Sequence, residues 1–332
     1  MAALHACAML DIEDLHKLHD AAVAANQPTY RDPSTGNRCF TAATLRKRGK
    51  CCGCGCRHCP FNHERVTMED RPHRISAPAL LAGDFGDLEG PVDVLLWSGG
   101  KDSFLAARAL RREHGGAKNR LVLLTTFDAG SKIVAHQELP IVHIVRQARQ
   151  LRVPLVGVPL WSSVPYETRV GDALRFVADA VGVRRVASGD LWLEHIAAWR
   201  EAHLGPVAAA VGATLYAPLW RIPYADLLRD LEASATPIRV CAADGACAGI
   251  GVDGVGDPPP RCGAVVGELY DAAMRARLNP SADAMGEAGE FHTLAEVWDS
   301  RLDDPLGESV FAIRGGTPAV APTPSTAEAM AE

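Results

Sequence analysis

The stretch VDVLLWSGGKDSFLAARAL, residues 92–110, decides the fold. An apolar run from Val92 to Trp97 leads directly into Ser98-Gly99-Gly100-Lys101-Asp102-Ser103, and an apolar-periodic segment follows from Phe104 to Leu110. The order is strand, glycine-rich turn, helix. A turn of this kind aims backbone N–H groups and a helix N-terminus at one point in space, which is a ready site for phosphate. The string is not a Walker loop, because no GxxxxGK[ST] surrounds it.

Outward from this point the pattern is regular. Apolar runs suited to buried parallel strands recur at 92–97, 121–126, 155–160, 184–188, 213–217 and 237–242. Helical periodicity fills the gaps at 103–114, 138–150, 166–181, 190–210 and 223–234. The alternation predicts an α/β domain: a doubly wound parallel sheet covered by helices on both faces. Ligands of such sheets sit at the C-terminal ends of the strands, where the Ser98–Ser103 loop falls. Residues 262–278 read as a further helix and 308–314 (ESVFAIR) as a last strand. The Gly- and Pro-rich stretch 244–261 reads as a loop, and 315–332 as a low-complexity, disordered tail.

The N-terminal part is different. Residues 9–25 form one amphipathic pattern, ended by Asn26-Gln27-Pro28. Five of the ten cysteines crowd between Cys51 and Cys59. From Glu69 to Pro91 periodicity is lost and Pro72, Pro78, Gly83, Gly86, Gly90 and Pro91 accumulate, the composition of a linker. The expected organisation is therefore a helix plus Cys-rich module over 1–68, a linker over 69–91, and a main domain over 92–314.

At 332 residues and 48% hydrophobic composition, two domains and a sizeable core are expected. No stretch approaches 18 uninterrupted apolar residues, so no membrane span is expected. The N-terminus has no basic start and carries acids and His early, which predicts a cytoplasmic rather than a secreted protein. Clustered cysteines in that setting read as metal ligands, not disulfides. Residues 31–65 hold eight Lys/Arg against two Asp/Glu, a local +6; with the whole chain at −6, the remainder is −12. The basic module suits either an offset for metal-bound thiolates, the favoured reading, or an acidic partner such as nucleic acid.

A second motif is Gly286-Glu287-Ala288-Gly289-Glu290-Phe291-His292-Thr293. Two carboxylates and an imidazole on Gly-rich backbone can coordinate Mg²⁺, hold an ammonium or move protons. With the Ser98–Ser103 loop it resembles one family closely, the diphthine–ammonia ligases, which are N-type ATP pyrophosphatases of adenine nucleotide alpha hydrolase-like fold. The family's GExGE[FY]HT hallmark is matched at every fixed position. Ser188-Gly189-Asp190 and Trp199-Arg200-Glu201 are similar to its GD…WRE segment, and Pro218-Leu219-Trp220 to its PLW turn. Ser131–His136 (SKIVAH) sits where the family has a Ser…His loop.

The resemblance covers roughly residues 92–300 and implies chemistry. A small-molecule or protein-borne carboxylate attacks the α-phosphorus of ATP, pyrophosphate leaves, and ammonia or an amine converts the acyl-adenylate to an amide. Ser98, Gly99, Gly100 and Ser103 would hold the phosphates. Lys101 would add positive charge or point to solvent, and Asp102 would order the loop or hold Mg²⁺. Glu287, Glu290 and His292 would serve catalysis. His136, Asp190, Glu201 and Thr293 would bind substrate, with Asp190 also capping a helix. Trp192, His195 and Trp199 recur at helical spacing and read as packing. Two other classes share the loop: sulfur-transfer enzymes that thiolate RNA, and nucleotide-binding proteins without turnover.

The third signal, Cys51-Cys52-Gly53-Cys54-Gly55-Cys56-Arg57-His58-Cys59-Pro60, resembles a small bacterial module with the pattern TAxxLxxRGxCCGxGCRxCP. Cys51, Cys52, Cys56 and Cys59 match it, Cys54 is extra, and Cys39 is a possible outside ligand. Thiolates in this number suit zinc or an iron–sulfur cluster. Cys7, Cys241, Cys247 and Cys262 read as ordinary thiols.

Overall fold

A computed structural model describes residues 12–33, 36–61, 63–67, 75, 77–117, 119–129, 131–134, 137–160, 164–243 and 263–307. The chain divides into two compact units. One comprises Met1–Ser76 with Ala129–Lys132, the other Ala77–Asp128 with Ile133–Glu332.

The smaller unit contains α1 (Ile12–Ala24), an antiparallel pair of short strands β1 (Thr29–Arg31) and β2 (Arg38–Phe40), and a short helix α2 (Ala42–Arg46). Ala22, Tyr30 and Cys39 pack together as its small apolar centre. Thr41 caps α2, its hydroxyl accepting from the Thr44 N–H. Arg57 pairs with Asp32, which is fully buried.

The larger unit opens with β3 (Ala79–Ala82) and β4 (Val92–Leu96), followed by α3 (Lys101–Glu113) and β5 (Leu121–Asp128). A two-stranded ribbon, β6 (Ile133–Val134) and β7 (Leu139–Pro140), leads to α4 (Ile141–Leu151). Then come β8 (Leu155–Leu160), α5 (Tyr166–Val181), β9 (Val183–Ala187), α6 (Glu194–Ala209) and β10 (Thr214–Tyr216). The chain continues through α7 (Tyr224–Ala233), β11 (Ile238–Ala243), α8 (Ala272–Ala276) and β12 (Phe291–Ala295).

Six strands form the main sheet in the order β10-β9-β4-β5-β8-β3. All neighbouring pairs are parallel except β3 against β8, so the sheet is mixed. Along β4 the residues alternate faces. Val92 and Val94 join Val122, Leu124, Val156 and Val158 in one core layer with Val170, Leu174 and Val177 of α5 and Leu204 of α6. Helices α3 and α4 lie against β4 and β5. The chain runs from β4 outward through β5 to β8, then returns to add β9 and β10 on the other side of β4. The C-terminal end of β4 is thus the topological switch point, the place where a crevice opens in such sheets.

Three expectations are corrected. The segment 69–91 is not a linker throughout: Ala79–Ala82 is an edge strand antiparallel to β8, and the larger unit begins at Ala77. Four apolar residues flanked by Pro78 and Gly83 gave no periodic signal, and the strand is seated by Gly157, where a Cβ would come within 2.3 Å of the Leu81 side chain. Residues 237–242 do not extend the parallel sheet. As β11 they pair antiparallel with β12 across a bulge at Val240/Ala242. The helix expected over 262–278 is confined to Ala272–Ala276. The expected loop 244–261, strand 308–314 and tail 315–332 lie outside the described residues. Among the described residues no helix is long and apolar enough to cross a membrane.

Candidate functional site

The loop after β4 is built by its own side chains and by two remote segments. Gly99 takes φ +83°, a conformation only glycine adopts at low cost. The Ser98 hydroxyl accepts from the Gly100 N–H (3.3 Å) and donates to Ser103 Oγ (3.3 Å), and Ser103 Oγ donates to the Gly100 carbonyl (3.0 Å). The Lys101 N–H, an orphan donor of the first turn of α3, goes to Thr293 Oγ1 at 3.1 Å. The Ala295 N–H donates to the Gly99 carbonyl at 2.9 Å. Loop and β12, far apart in sequence, are therefore one structure.

Gln147 of α4 is the tie that sequence reading missed. It is fully buried. Its Nε2 donates to the carbonyls of Gly99 and Ala295, both at 2.8 Å, and its Oε1 accepts from Trp97 Nε1 at 2.9 Å. The signal was present: an amide set among the apolar positions Ile144, Ala148 and Leu151. Close approach completes the scaffold. A Cβ on Gly189 would lie 2.8 Å from the Asp102 carbonyl and 2.9 Å from the Ser103 nitrogen, so β9's end presses directly on the first turn of α3.

Around this turn opens a cavity of about 570 Å³, lined by Ser98, Asp102 and Ser103, by Thr125 and Thr126 at the end of β5, by Asp190, and by Trp199, Arg200 and Glu287, among others. Three carboxylates from separate segments meet there. Asp190 is held by Arg200, with Nε at 2.5 Å and Nη2 at 2.9 Å, and accepts from Ser188 Oγ at 2.7 Å. Asp102 takes Lys101 Nζ on Oδ2 at 2.8 Å, while its buried Oδ1 has no hydrogen-bond partner among the described residues. Thr125 Oγ1 is likewise buried without one. Glu287 accepts from the Trp192 N–H at 3.3 Å. Burial first, and then the Asp102 charge, push its carboxyl up from the ordinary 4.5 to about 7. An unpartnered carboxylate oxygen beside a carboxyl that titrates near neutrality suits a divalent cation, an ammonium or a proton in transit.

The expected site residues do not all meet at the cavity. Ser98, Asp102, Ser103, Asp190 and Glu287 line the cavity. Gly99, Gly100 and Thr293 shape the loop from behind. Lys101 does not point to solvent: its side chain is buried, with Nζ 5.6 Å from the Phe291 ring centroid and 5.8 Å from that of Tyr270. Its charge serves Asp102. Glu290 lies outside the lining and its Oε1 accepts from the Asp283 N–H at 2.7 Å, closing the turn before β12. His292, opposite Ala242 on the β11–β12 pair, is also outside the lining. Glu201 is exposed on α6 and its carboxylate folds back toward Gly205. His136 lies outside the described residues.

Trp192 and Trp199 are not core residues, with 43% and 40% of their surfaces exposed. Trp199 stands at the cavity between Tyr166 and His203, at ring-centroid distances of 5.9 and 4.8 Å. Arg200 and Trp199 are the lining residues that the motif reading placed beside the site rather than in it.

In the smaller unit the cysteines sort into two pairs. Cys52 Sγ is 3.3 Å from Cys56 Sγ, and Cys59 Sγ is 3.8 Å from Cys51 Sγ. Among the described residues no three His, Cys, Asp or Glu side chains form a metal-ligating group. A single zinc or iron–sulfur centre needs at least three ligands at one point, and the thiols as they stand meet only in twos. The Cys54 N–H, and then the Cys56 thiol, bring Cys52 down to about 7. Burial, and then Cys52, push Cys56 up to about 11.

Residues 18–65 match a family described only as a family of unknown function (DUF5522). The match falls within the smaller unit and does not reach the cavity.

Proposed function

We propose that the larger unit is an ATP-dependent, AMP-forming carbon–nitrogen ligase of the diphthine–ammonia ligase type, with an adenine nucleotide alpha hydrolase-like fold. The observation that carries the reading is the meeting of the Ser98–Ser103 turn with Glu287 of the distant GEAGEFHT segment in one cavity at the switch point of the sheet. A phosphate cradle alone would serve any nucleotide-binding protein. A carboxyl raised by burial to about 7 beside it suits a reaction that handles an amine.

ATP is the substrate whose pyrophosphate the turn would hold. The first-turn N–H groups of Asp102 and Ser103 have no intrahelical acceptor, and the positive end of α3 favours charge building on the leaving pyrophosphate. The hydroxyls of Ser98 and Ser103 add donors at the same point. Asp102 Oδ1 fits Mg²⁺, a hard cation that takes oxygen ligands and would neutralise phosphate charge. The carboxylate substrate attacks the α-phosphorus and pyrophosphate leaves. Ammonia or an amine then attacks the acyl carbon, and AMP leaves. Glu287, which lines the cavity as Glu290 and His292 do not, would take the proton shed by the attacking nitrogen. Arg200, anchored by Asp190, is the cation available to a carboxylate, with Trp199 as a flat wall beside it. The protein would act in the cytoplasm, where ATP is supplied.

The test is turnover with ATP, Mg²⁺ and ammonium across a panel of carboxylates, with nucleotide products separated. AMP and pyrophosphate in equal amounts support the reading. ADP and phosphate would overturn it.

A further inference from the structure

The smaller unit carries chemistry that the ligase reading does not use. Of the five cysteines within nine residues, four stand as two close couples, and among the described residues no three of them form a metal-ligating group. Cys52 and Cys56 approach to 3.3 Å between sulfurs and Cys52 is exposed. A disulfide needs about 2.05 Å, so closure asks the two sulfurs to move together by only about 1.3 Å. The segment between them, Gly53-Cys54-Gly55, is a loop whose two glycines take φ +76° and +64°. It can adjust without the Cβ strain other residues would bring. The second couple is less accessible, because Cys51 is 1% exposed. Cys54 is exposed and also neighbours Cys52, whose thiol is the first cause of the rise in the Cys54 pKa, with its sulfur donating to the Cys52 carbonyl at 3.6 Å.

We propose that Cys52 and Cys56 are a reversible dithiol–disulfide couple that exchanges with small-molecule disulfides of the glutathione class. In the forward direction the exposed Cys52 sulfur, as thiolate, attacks one sulfur of the oxidant. The oxidant's S–S bond breaks, and one small thiol leaves carrying the proton released by Cys52. The Cys56 sulfur then attacks Cys52 Sγ, the mixed disulfide breaks, and the second small thiol leaves with the Cys56 proton. Two protein thiols have lost two hydrogens and the oxidant has become two thiols. This pairing is the alternative to the metal centre that the spacing alone suggests.

The experiment uses the full chain, kept anaerobic with a chelator, equilibrated against a series of reduced and oxidised glutathione mixtures. Each sample is acid-quenched, alkylated and digested after Lys and Arg. Cys51, Cys52, Cys54 and Cys56 fall in one peptide, residues 51–57, and Cys59 in the next, 58–65. The expected product is a 51–57 peptide two hydrogens lighter, with only two of its four thiols alkylated. It should return to four alkylated thiols in excess reduced glutathione. It should be lost in C52S and in C56S and kept in C54S. The wild-type peptide map stands by itself if a variant fails to fold. A 51–57 peptide with four alkylated thiols across the whole series overturns the proposal. So does a cross-link between 51–57 and 58–65 as the main product. So does protein purified without chelator that holds a stoichiometric metal ion and resists oxidation until it is removed.

Discussion

Glu287 offers a test that needs no substrate. Its carboxyl stands near 7 in the folded chain against an ordinary value of 4.5, chiefly through burial and next through the Asp102 charge. Between those two values the folded protein holds a proton that the unfolded chain has released. The site's contribution to stability therefore falls as pH rises from about 4.5 to about 7, and the loss persists above that. The full displacement corresponds to about 3 kcal/mol, at 1.36 kcal/mol per tenfold. Glu287 is partly open to the cavity, and solvent screening lowers the expected figure to roughly 2 kcal/mol. Glu287→Gln removes the titration while keeping size and an acceptor for the Trp192 N–H. The stability advantage of the variant over wild type should grow by roughly 1.5 kcal/mol from pH 5 to pH 8, about a quarter of the effect lying below pH 5. Urea unfolding followed by tryptophan fluorescence reads this, and taking the difference cancels the other titrating groups. In an Asp102→Asn background the growth should be smaller, because one of its two main causes is gone. A difference that stays flat, or that favours wild type at pH 8, refutes the idea of a buried, repelled carboxyl. In turnover, the same variant should retain ATP–pyrophosphate exchange and lose the amide product.

Gly189→Ala should drive a Cβ into the Asp102 carbonyl and Ser103 nitrogen, costing about 1–3 kcal/mol of stability and weakening nucleotide binding more than tenfold, read by calorimetry and titration. Gln147→Leu leaves two buried carbonyls and the Trp97 N–H unpaired and should cost about 2–4 kcal/mol in urea unfolding; a change below 0.5 kcal/mol would show that water replaces the amide. Glu290→Gln and Glu201→Ala should leave adenylation and amide formation within about twofold of wild type, since Gln keeps the bond to the Asp283 N–H and Glu201 is exposed. Asp93, fully buried at the start of β4 and held by Arg184, Arg185 and His114, keeps its carboxyl well below the ordinary 3.8. Its stabilisation is present above that value and is lost as pH falls through the folded one, so Asp93→Asn should destabilise by about 3 kcal/mol at pH 7 and by less near pH 3, read by thermal unfolding.

What was legible in the sequence is what local pattern encodes. The strands after Pro91 and the long helices follow from apolar runs and helical spacing, and α5 begins and ends where the periodicity does. Elements that depend on a partner were not legible. Ala79–Ala82 is a strand because β8 has an unpaired edge and a glycine opposite Leu81. Residues 238–243 share the composition of a parallel strand, but their direction is set by β12, which no local rule specifies. The motif GEAGEFHT was visible as a unit, yet alternation along β12 and the turn before it divide it. Glu287 faces the cavity, Glu290 closes a backbone turn, and Thr293 caps a helix.

That division explains why the turn after β4 should be coupled to a segment so remote in the chain. The turn after β4 has little of its own to hold it: two serine hydroxyls and a glycine at positive φ. Its carbonyl at Gly99 and its first helical N–H at Lys101 are satisfied from outside, by Gln147, the Ala295 N–H and Thr293. Buried backbone groups of this kind cost about 1–3 kcal/mol each when left unpaired. The loop therefore takes its shape only when β12 is docked, and docking β12 is what brings Glu287 to the cavity. The turn and the carboxyl beside it are assembled in one step, so a chain that has lost the second half of the site should also lose the geometry of the first.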